Sequence, residues 1–216
     1  MKKFKANDNK NEEHEINYRQ FNKKLELLNQ ILSLISDINQ ASDEKEVKDC
    51  IPALLQYTGE YTDADRVYIF ELLSEKQDYY SNTFEWCREG IIPQIDNLIR
   101  ISADSMPVWH KKFLCGETII IHDLEKIRET MPSEYDILKV QDIHSLLVLP
   151  LFANTQLSGF IGLDNPELVN PGVYISLLSN AGGHLASTLN NLRMFRMLEE
   201  KQKTLESNLE ELQKEK

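Results

Sequence analysis

The chain has few cysteines and no long apolar segment, and both absences limit what it can be. Its cysteines, Cys50, Cys87 and Cys115, are odd in number and widely spaced, which argues against a disulfide framework and is typical of free thiols in a reducing cytoplasm. No apolar run approaches the roughly 20 residues that span a membrane, and the amino-terminal sequence MKKFKANDNKNEEHE lacks the apolar stretch of a signal peptide. We therefore expect a cytoplasmic protein; a membrane-bound parent protein stays open.

Positive charge is also scarce. Lys and Arg number 24 against 35 Asp and Glu, for a net charge of −11. Because phosphate binding depends on clustered Lys and Arg, this balance argues against a nucleic-acid-binding surface and against an anionic membrane surface. We expect no nucleic-acid partner and no direct membrane insertion.

The sequence lacks the common catalytic motifs. It contains no GxxxxGK[ST] phosphate loop, no GxSxG elbow and no HExxH pair of metal ligands. Its Cys and His residues form no CxxC or HxxxH pair, which argues against a zinc site and against an iron site, haem included. The sequence therefore predicts that this chain is not an enzyme, and it leaves any small-molecule ligand unidentified.

A long helical pattern dominates the carboxyl-terminal part of the chain. From about Tyr174 to Leu212, apolar residues recur every three or four positions, with no capping Gly or Pro before Lys216. At about 1.5 Å per residue such a helix would be roughly 65 Å long, which is more than one small domain covers. We predict that residues 191–216 form a two-stranded connector to an absent output domain. A single helix packed on its own domain is the alternative.

This connector predicts a homodimer through the terminal helices. Leu198, Leu205 and Leu212 fall at heptad position d and Leu209 at position a, whereas Gln202 occupies the intervening a position. The pattern does not decide between a parallel and an antiparallel pair. The predicted interface comprises Leu28, Ile31, Ile35, Leu189, Leu192, Phe195, Leu198, Leu205, Leu209 and Leu212.

Two helical patterns precede the first strand signal. A 3.6-residue apolar period predicts a helix over 18–42. Asp43 with Glu46 resembles a capping pair that opens a second helix. Within that helix we expect Pro52 to cause a kink or to mark a late start, and Gly59 to mark the end.

Strand patterns then predict one mostly antiparallel sheet. The predicted strands are 66–73, 79–87, 118–122, 145–152 and 156–163. The last two form a hairpin around Asn154 and Thr155. In the second strand, alternation places Tyr80, Phe84 and Trp86 on one side. Strands combined with helices on the faces indicate an α+β sandwich with five to six strands.

Several separated blocks resemble the GAF domain family. The hairpin sequence SLLVLPLFANTQLSGFIGLDNP (145–166) resembles the last two strands of that fold, and SNTFEWC (81–87) with EGIIPQIDNL (89–98) resembles the subgroup found in bacterial sensor histidine kinases and GGDEF-type signalling proteins. RVYIF (66–70), Trp109, Gly116-Glu117 and 121–123 fall at the spacings of that subgroup. Together with the polar, charged composition of the amino terminus and the helical patterns above, this predicts a disordered tail at 1–17, a signalling helix at 18–42, a GAF domain at 43–190 and a coiled-coil connector at 191–216.

The resemblance implies a non-catalytic sensor or dimerisation module. Bilin-binding GAF domains bear a Cys-His pair, whereas Cys115 is followed by Gly116, so a covalent bilin is not expected. The enzymes of the family that reduce free methionine sulfoxide use a cysteine set that Cys50, Cys87 and Cys115 do not match.

A ligand pocket is predicted between the sheet and the segment 88–123. Aromatic walls with a few convergent polar groups are what a small-molecule pocket needs. The predicted ligand-binding residues are Tyr68, Trp86, Trp109, His122, Asp123 and Asp164.

The same residues allow a structural interpretation. Tyr68 and Trp86 in a β-rich core can be packing residues, Asp164 can belong to the turn after the last strand, and Glu85 with Arg88 can be an exposed ion pair. Two hypotheses therefore remain: a ligand sensor that signals through a dimeric helical connector, and a structural dimerisation module that binds nothing. In either case the output is a histidine kinase or a diguanylate cyclase.

Overall fold

The computed structural model describes residues 2–72, 79–168 and 170–214, with side chains except at 2–14, 16, 193, 196 and 207–214. The helices are α1 (Lys2–Gln40), α2 (Glu44–Thr62), α3 (Pro107–Leu114), α4 (Pro132–Lys139) and α5 (Pro171–Lys214). The strands are β1 (Arg66–Leu72), β2 (Tyr79–Cys87), β3 (Ile101–Ser102), β4 (Ile119–Ile121), β5 (Leu146–Ala153) and β6 (Gln156–Asp164). Two 3-10 turns cover Ala103–Ser105 and Leu124–Ile127.

The strands form one antiparallel sheet in the order β3-β2-β1-β6-β5-β4. This sheet, with helices on both faces, confirms the predicted α+β class. The β5–β6 hairpin turns at Asn154 and Thr155, whose φ angles are 48° and 68°. In a two-residue hairpin turn, positive φ at both central residues gives the turn a twist that fits the right-handed twist of the two strands.

Each face of the sheet carries its own core because side chains alternate along a strand. Val67 and Ile69 of β1 pack with buried residues of α1, α2 and α5; we call this the helix-side core. Tyr68 and Phe70 point the other way and pack beneath α3, α4 and the neighbouring loops; we call this the cavity-side core.

The predicted capping pair of α2 is confirmed, whereas the predicted end of that helix is wrong. The Asp43 carboxylate accepts the Glu46 N–H at 2.9 Å. The helix continues past Pro52 and Gly59 to Thr62. Gly59 has a tertiary role instead, because a Cβ at this position would lie 2.0 Å from a ring carbon of Trp86.

This contact gives a test at Gly59. We expect Gly59→Ala to lower the free energy of unfolding by about 1–3 kcal/mol, because the new methyl group displaces the Trp86 ring. Gly183→Ala in α5 is the matched control, since its Cβ would meet no atom within 4 Å; helix propensity alone should then raise stability by up to about 1 kcal/mol. Urea unfolding followed by circular dichroism measures both. A stabilised Gly59→Ala variant would contradict the packing role.

A β-bulge corrects the predicted sidedness of β2. Ile69 pairs with Phe84 but Phe70 pairs with Asn82, so the register shifts by one residue between them. An extra residue reverses the alternation beyond it. Tyr80 therefore lies in the cavity-side core, whereas Phe84 and Trp86 pack against the helix-side core.

The predicted dimer interface is divided between the domain's own core and solvent. Ile31, Ile35 and Leu189 are buried in the helix-side core, so their assignment to a dimer interface is wrong: other elements of the same chain already cover them, since α1 packs on α2 and α5, and α5 packs on β5. Leu28 and Leu192 are half-buried against that core. Phe195, Leu198 and Leu205 are exposed. Leu209 and Leu212 lie in α5, but their side chains are outside those described.

Helix α1 is longer than its apolar pattern predicts. It begins at Lys2, so residues 2–17 are helical where composition predicts a disordered tail; Met1 is outside the described residues. Backbone i to i−4 hydrogen bonds need no apolar partner. An Arg19–Glu15 ion pair of 3.6 Å, one helical turn apart, supports this part of the helix.

Candidate functional site

The cavity-side face of β1 and β6 presents polar residues at one end and aromatic residues at the other. In the antiparallel register, Arg66 lies opposite Asp164, Tyr68 opposite Gly162, and Phe70 opposite Phe160. The Tyr68 ring lies over Gly162, where a Cβ would come within 2.2 Å of a ring carbon. This glycine therefore allows the Tyr68 hydroxyl to reach along the sheet toward the polar end.

An aromatic cluster centred on Phe160 fills most of the space beneath α3. Phe160 stacks on Phe70 with ring centroids 4.6 Å apart and on Phe113 at 5.0 Å. Tyr80 tilts against the same ring at 5.1 Å, and Trp109 approaches it edge-on at 6.3 Å. The cluster joins the central strands to the covering helix.

A cavity of about 40 Å³, the inner cavity, lies between this cluster and the polar end. A volume of this size holds a few water molecules and is far below the roughly 300–1,000 Å³ of clefts that bind drug-sized ligands. Its walls are mainly apolar. They comprise Arg66, Tyr68, Phe70, Leu98, Ile101, Met106, Trp109, Ile137, Leu138, Gln141, Ile143, Phe160 and Asp164.

The polar end of the inner cavity is a buried ion pair with two neutral partners. Arg66 is 4% exposed and Asp164 is 1% exposed, with Arg66 Nη1 at 3.3 Å from Asp164 Oδ2. The Tyr68 hydroxyl donates to Asp164 Oδ1 at 2.9 Å, and Arg66 Nη1 donates to Gln141 Oε1 at 3.1 Å. Burial raises the pKa of Asp164 to about 7, although the Arg66 charge acts to lower it.

Glu85 connects this polar end to the loop after β2. Its side chain is buried, with Oε1 at 3.9 Å from Arg66 Nε. Oε2 accepts the backbone N–H groups of Gln94 and Ile95 at 2.8 and 3.1 Å. The interpretation of Glu85 as an exposed partner of Arg88 is therefore wrong: Arg88 pairs with acidic residues outside the cavity.

Three buried polar atoms of the cavity walls have no hydrogen-bond partner among the described residues: Arg66 Nε, Asp164 Oδ2 and Trp109 Nε1. Two of them are donors and the third is a carboxylate oxygen. An unpartnered buried polar group costs about 1–3 kcal/mol, and most such groups in folded proteins are satisfied by protein or ordered water. The inner cavity is therefore equipped to hydrogen-bond a small polar guest.

Helix α4 holds Trp109 in place. Glu134 Oε1 accepts the backbone N–H groups of Val108 and Trp109 at 2.8 and 3.2 Å. These donors lie in the first turn of α3, where no earlier carbonyl of the helix can accept them. The Glu134 carboxylate is buried and fixes the helix that covers the cavity.

A second compartment, the outer cleft, adjoins the inner cavity. Its volume is about 240 Å³, and it lies between the segments 90–94 and 140–143. Four residues line both compartments and form the wall between them: Arg66, Gln141, Ile143 and Asp164.

The structure brings together three of the six predicted ligand-binding residues. Tyr68, Trp109 and Asp164 line the inner cavity. Trp86 lies across the sheet against Gly59, so its assignment to this pocket is wrong. His122 is exposed. Asp123 caps a 3-10 turn by accepting the Glu125 N–H, so its carboxylate serves a local structural role.

Sequence reasoning missed Arg66, Glu85 and Gln141. One signal was available for Arg66, because a cation two residues before Tyr68 shares its face of a strand. No local pattern marks Glu85 or Gln141. Among the described residues, no three His, Cys, Asp or Glu side chains gather as a metal ion would need.

The chain is similar to known proteins in sequence and in fold. It is 32% identical over 124 residues to the methanogenesis regulatory histidine kinase FilI of Methanothrix harundinacea, covering 56% of this chain but only 14% of that protein's length. This chain also superimposes on the phycoerythrobilin-bound GAF domain of a cyanobacterial phytochrome, with TM-score 0.59, 16% identity, and coverage of 80% and 97% of the two chains.

A second similar structure is the GAF domain of an Acinetobacter phosphoenolpyruvate-protein phosphotransferase, with TM-score 0.58, 13% identity, and coverage of 77% of this chain and 94% of that one. None of the helices among the described residues carries an apolar stretch of membrane-spanning length. The GAF domain family model matches residues 46–173, more than half of the sequence. The chain therefore belongs to the GAF domain family.

Proposed function

We propose that this chain is the cytoplasmic sensory domain of a signal-transduction protein, that it binds a small ligand in the inner cavity, and that it passes the ligand state to an output domain through a dimeric pair of terminal helices. The observation that carries the proposal is the set of three buried polar atoms, Arg66 Nε, Asp164 Oδ2 and Trp109 Nε1, that have no hydrogen-bond partner among the described residues. A ligand that satisfies them changes the energy of the cavity-side core. Such a change becomes a signal if the dimer can adopt two arrangements of its terminal helices and binds the ligand more tightly in one of them.

The amino-terminal helix supports the dimeric part of this proposal. Tyr18, Phe21, Leu25 and Leu32 are exposed, and Leu28 is half-buried. Their spacing of three and four residues is that of a heptad seam. A monomer would leave this stripe in water, whereas a second copy of the same helix would cover it.

The carboxyl-terminal helix carries a comparable stripe. Phe195 is 69% exposed, and Leu198 and Leu205 are 63% exposed. Gln202 occupies the a position between the two leucines. Helices α1 and α5 both pack in the helix-side core. A rearrangement of α5 acts directly on β5, and a rearrangement of α1 acts on the sheet through α2 and α5.

The seam on α1 gives a test of the dimer. We expect the wild-type chain to sediment as a dimer at micromolar concentration and the double variant Phe21→Glu/Leu25→Glu to sediment as a monomer, because four carboxylates would meet at the interface. Leu114→Glu is the control, since Leu114 is exposed at the end of α3, away from both seams. A dimeric double variant would place the interface elsewhere.

The size of the inner cavity favours the alternative of a structural dimerisation module with no ligand. The Phe160 cluster already occupies most of the cavity-side core, and about 40 Å³ is left. Native mass spectrometry of the purified chain separates the two functions. A dimer with a discrete additional mass supports the sensor, and a dimer of bare polypeptide supports the structural module.

The output domain is proposed to be a histidine kinase. The similarity to a regulatory histidine kinase supports this choice over a diguanylate cyclase. Kinase activity belongs to the remainder of such a protein, and this chain contributes regulation.

A further inference from the structure

The wall between the inner cavity and the outer cleft contains one side chain that can move without moving a strand. Arg66 and Asp164 are anchored on β1 and β6, whereas Gln141 follows α4 in a turn. Gln141 is half-buried. Two hydrogen bonds hold its amide: Oε1 accepts from Arg66 Nη1 at 3.1 Å, and Nε2 donates to the Ile137 carbonyl at 2.9 Å.

Rotation of Gln141 would join the two compartments. The inner cavity of about 40 Å³ and the outer cleft of about 240 Å³ would then form one space. Its size approaches the lower end of the roughly 300–1,000 Å³ typical of small-molecule sites. Ile91, Ile92 and Val140 of the outer cleft would supply apolar contacts for the body of a ligand.

The polar atoms at this wall specify the polar group of the ligand. Arg66 Nη1 needs an acceptor once the Gln141 amide turns away, and Asp164 Oδ2 has no hydrogen-bond donor among the described residues. The two side chains are neighbours, with Arg66 Nη1 at 3.3 Å from Asp164 Oδ2. A primary amide offers an acceptor and a donor side by side, as Gln141 itself does toward Arg66 and Ile137.

The charges around the wall argue for a neutral ligand. Arg66 already faces two buried carboxylates, those of Asp164 and Glu85. A ligand anion would add a third negative charge at a buried site, and a ligand cation would give up its hydration there. Each of these costs more in a buried site than at the surface.

We propose that Gln141 divides a single two-compartment binding site, and that this site takes a neutral ligand with a primary amide on an apolar body. The amide replaces the Gln141 side chain at Arg66, and the apolar body lies in the outer cleft. This inference rests on the proposed sensory function and names the ligand class and the entrance of that same site.

Three isosteric probes test the ligand class: benzamide, benzoate and benzamidinium, which are neutral, anionic and cationic on the same ring. Each is titrated into the isotope-labelled chain and followed by two-dimensional amide NMR, with the Trp109 indole N–H as the signal of the inner cavity. We expect benzamide to bind at least tenfold more tightly than the other two and to shift the indole signal together with the amides of 90–94. Equal binding of the three probes, or no binding of benzamide, overturns the proposal.

Two glutamine variants test the wall. Gln141→Ala removes the side chain that the ligand must displace, so we expect benzamide to bind about three- to tenfold more tightly, the equivalent of about one lost hydrogen bond. Gln56→Ala is the control, because Gln56 is exposed on α2 and lines neither compartment; its affinity for benzamide should equal that of the wild type. An unchanged affinity in Gln141→Ala overturns the role of Gln141.

The proposed sensory function can be tested separately by native mass spectrometry. If benzamide fails to bind but the purified chain carries another small molecule that protects the Trp109 indole, the amide class is wrong and the sensory function stands. If the chain carries no ligand and none of the probes shifts the indole signal, both proposals fail.

Discussion

Replacing Phe160 with alanine is expected to lower the free energy of unfolding by about 3–5 kcal/mol, the usual range for deleting a buried aromatic ring. Phe160 is 2% exposed. Its ring touches those of Phe70, Phe113, Tyr80 and Trp109. The deletion would leave a void between β6 and α3 that rigid aromatic neighbours fill poorly.

The variant Phe160→Leu separates the loss of apolar volume from the loss of the ring contacts. Leucine keeps most of the apolar volume but loses the ring contacts, each worth about 0.5–1.5 kcal/mol, so the loss should be clearly smaller than for alanine. Leu114→Ala at an exposed site should stay within about 0.5 kcal/mol of the wild type. Urea unfolding followed by circular dichroism measures the set at fixed protein concentration. A loss below about 1 kcal/mol for Phe160→Ala would mean that the cavity-side core collapses into the void.

Replacing Arg66 with methionine is expected to cost about 3–5 kcal/mol at pH 8, because it leaves the carboxylates of Asp164 and Glu85 buried without their cation. Arg88→Met is the matched control. Arg88 also pairs with two acidic residues, Asp63 and Asp65, but its side chain is 39% exposed. Its loss should be about 1 kcal/mol or less. If Arg66→Met and Arg88→Met lost the same free energy of unfolding, burial would not be what makes the Arg66 ion pairs strong.

The cost of Arg66→Met should also depend on pH. Asp164 has a pKa of about 7 in the folded chain against an ordinary value of 3.8, so the folded state holds the proton more tightly than the unfolded state. The corresponding stability is complete below about pH 4 and is lost as the pH rises through 7. Without Arg66 the pKa of Asp164 rises further, so the deficit of the variant should be larger at pH 8 than at pH 5.5. If the stability lost in Arg66→Met were the same at both pH values, the ionisation of Asp164 would not be its cause.

Interactions within a few residues were predictable because their partners are neighbours in the chain. Asp43 and Glu46 cap α2 within a single turn. Asn154 and Thr155 adopt the positive φ that the hairpin needs. These features, with the apolar periods of the strands, were enough to predict the α+β fold.

The polar end of the candidate site depends on distant residues. Arg66 and Asp164 come from strands that are neighbours in the sheet but far apart in the sequence, and Gln141 joins them from the turn after α4. No spacing rule relates three such positions. Asp164 was predictable as a site residue from the end of its strand, whereas its partners and its raised pKa were not.

The sequence by itself determined five of the six described strands, the hairpin turn, the presence of the long terminal helices and the resemblance to the GAF family, because each depends on propensities and periods that act along the chain. Only the tertiary structure decided which side chains meet. The register places Trp86 opposite Val67, on the other face of the sheet from Tyr68 and Trp109, and one bulge in β2 brings Tyr80 to the face of Tyr68. The packing of α1 and α5 decides that Ile31 is core while Phe21 is solvent-exposed. The physical reason is that burial and charge pairing depend on distances in space, which a periodicity along one strand or one helix does not contain.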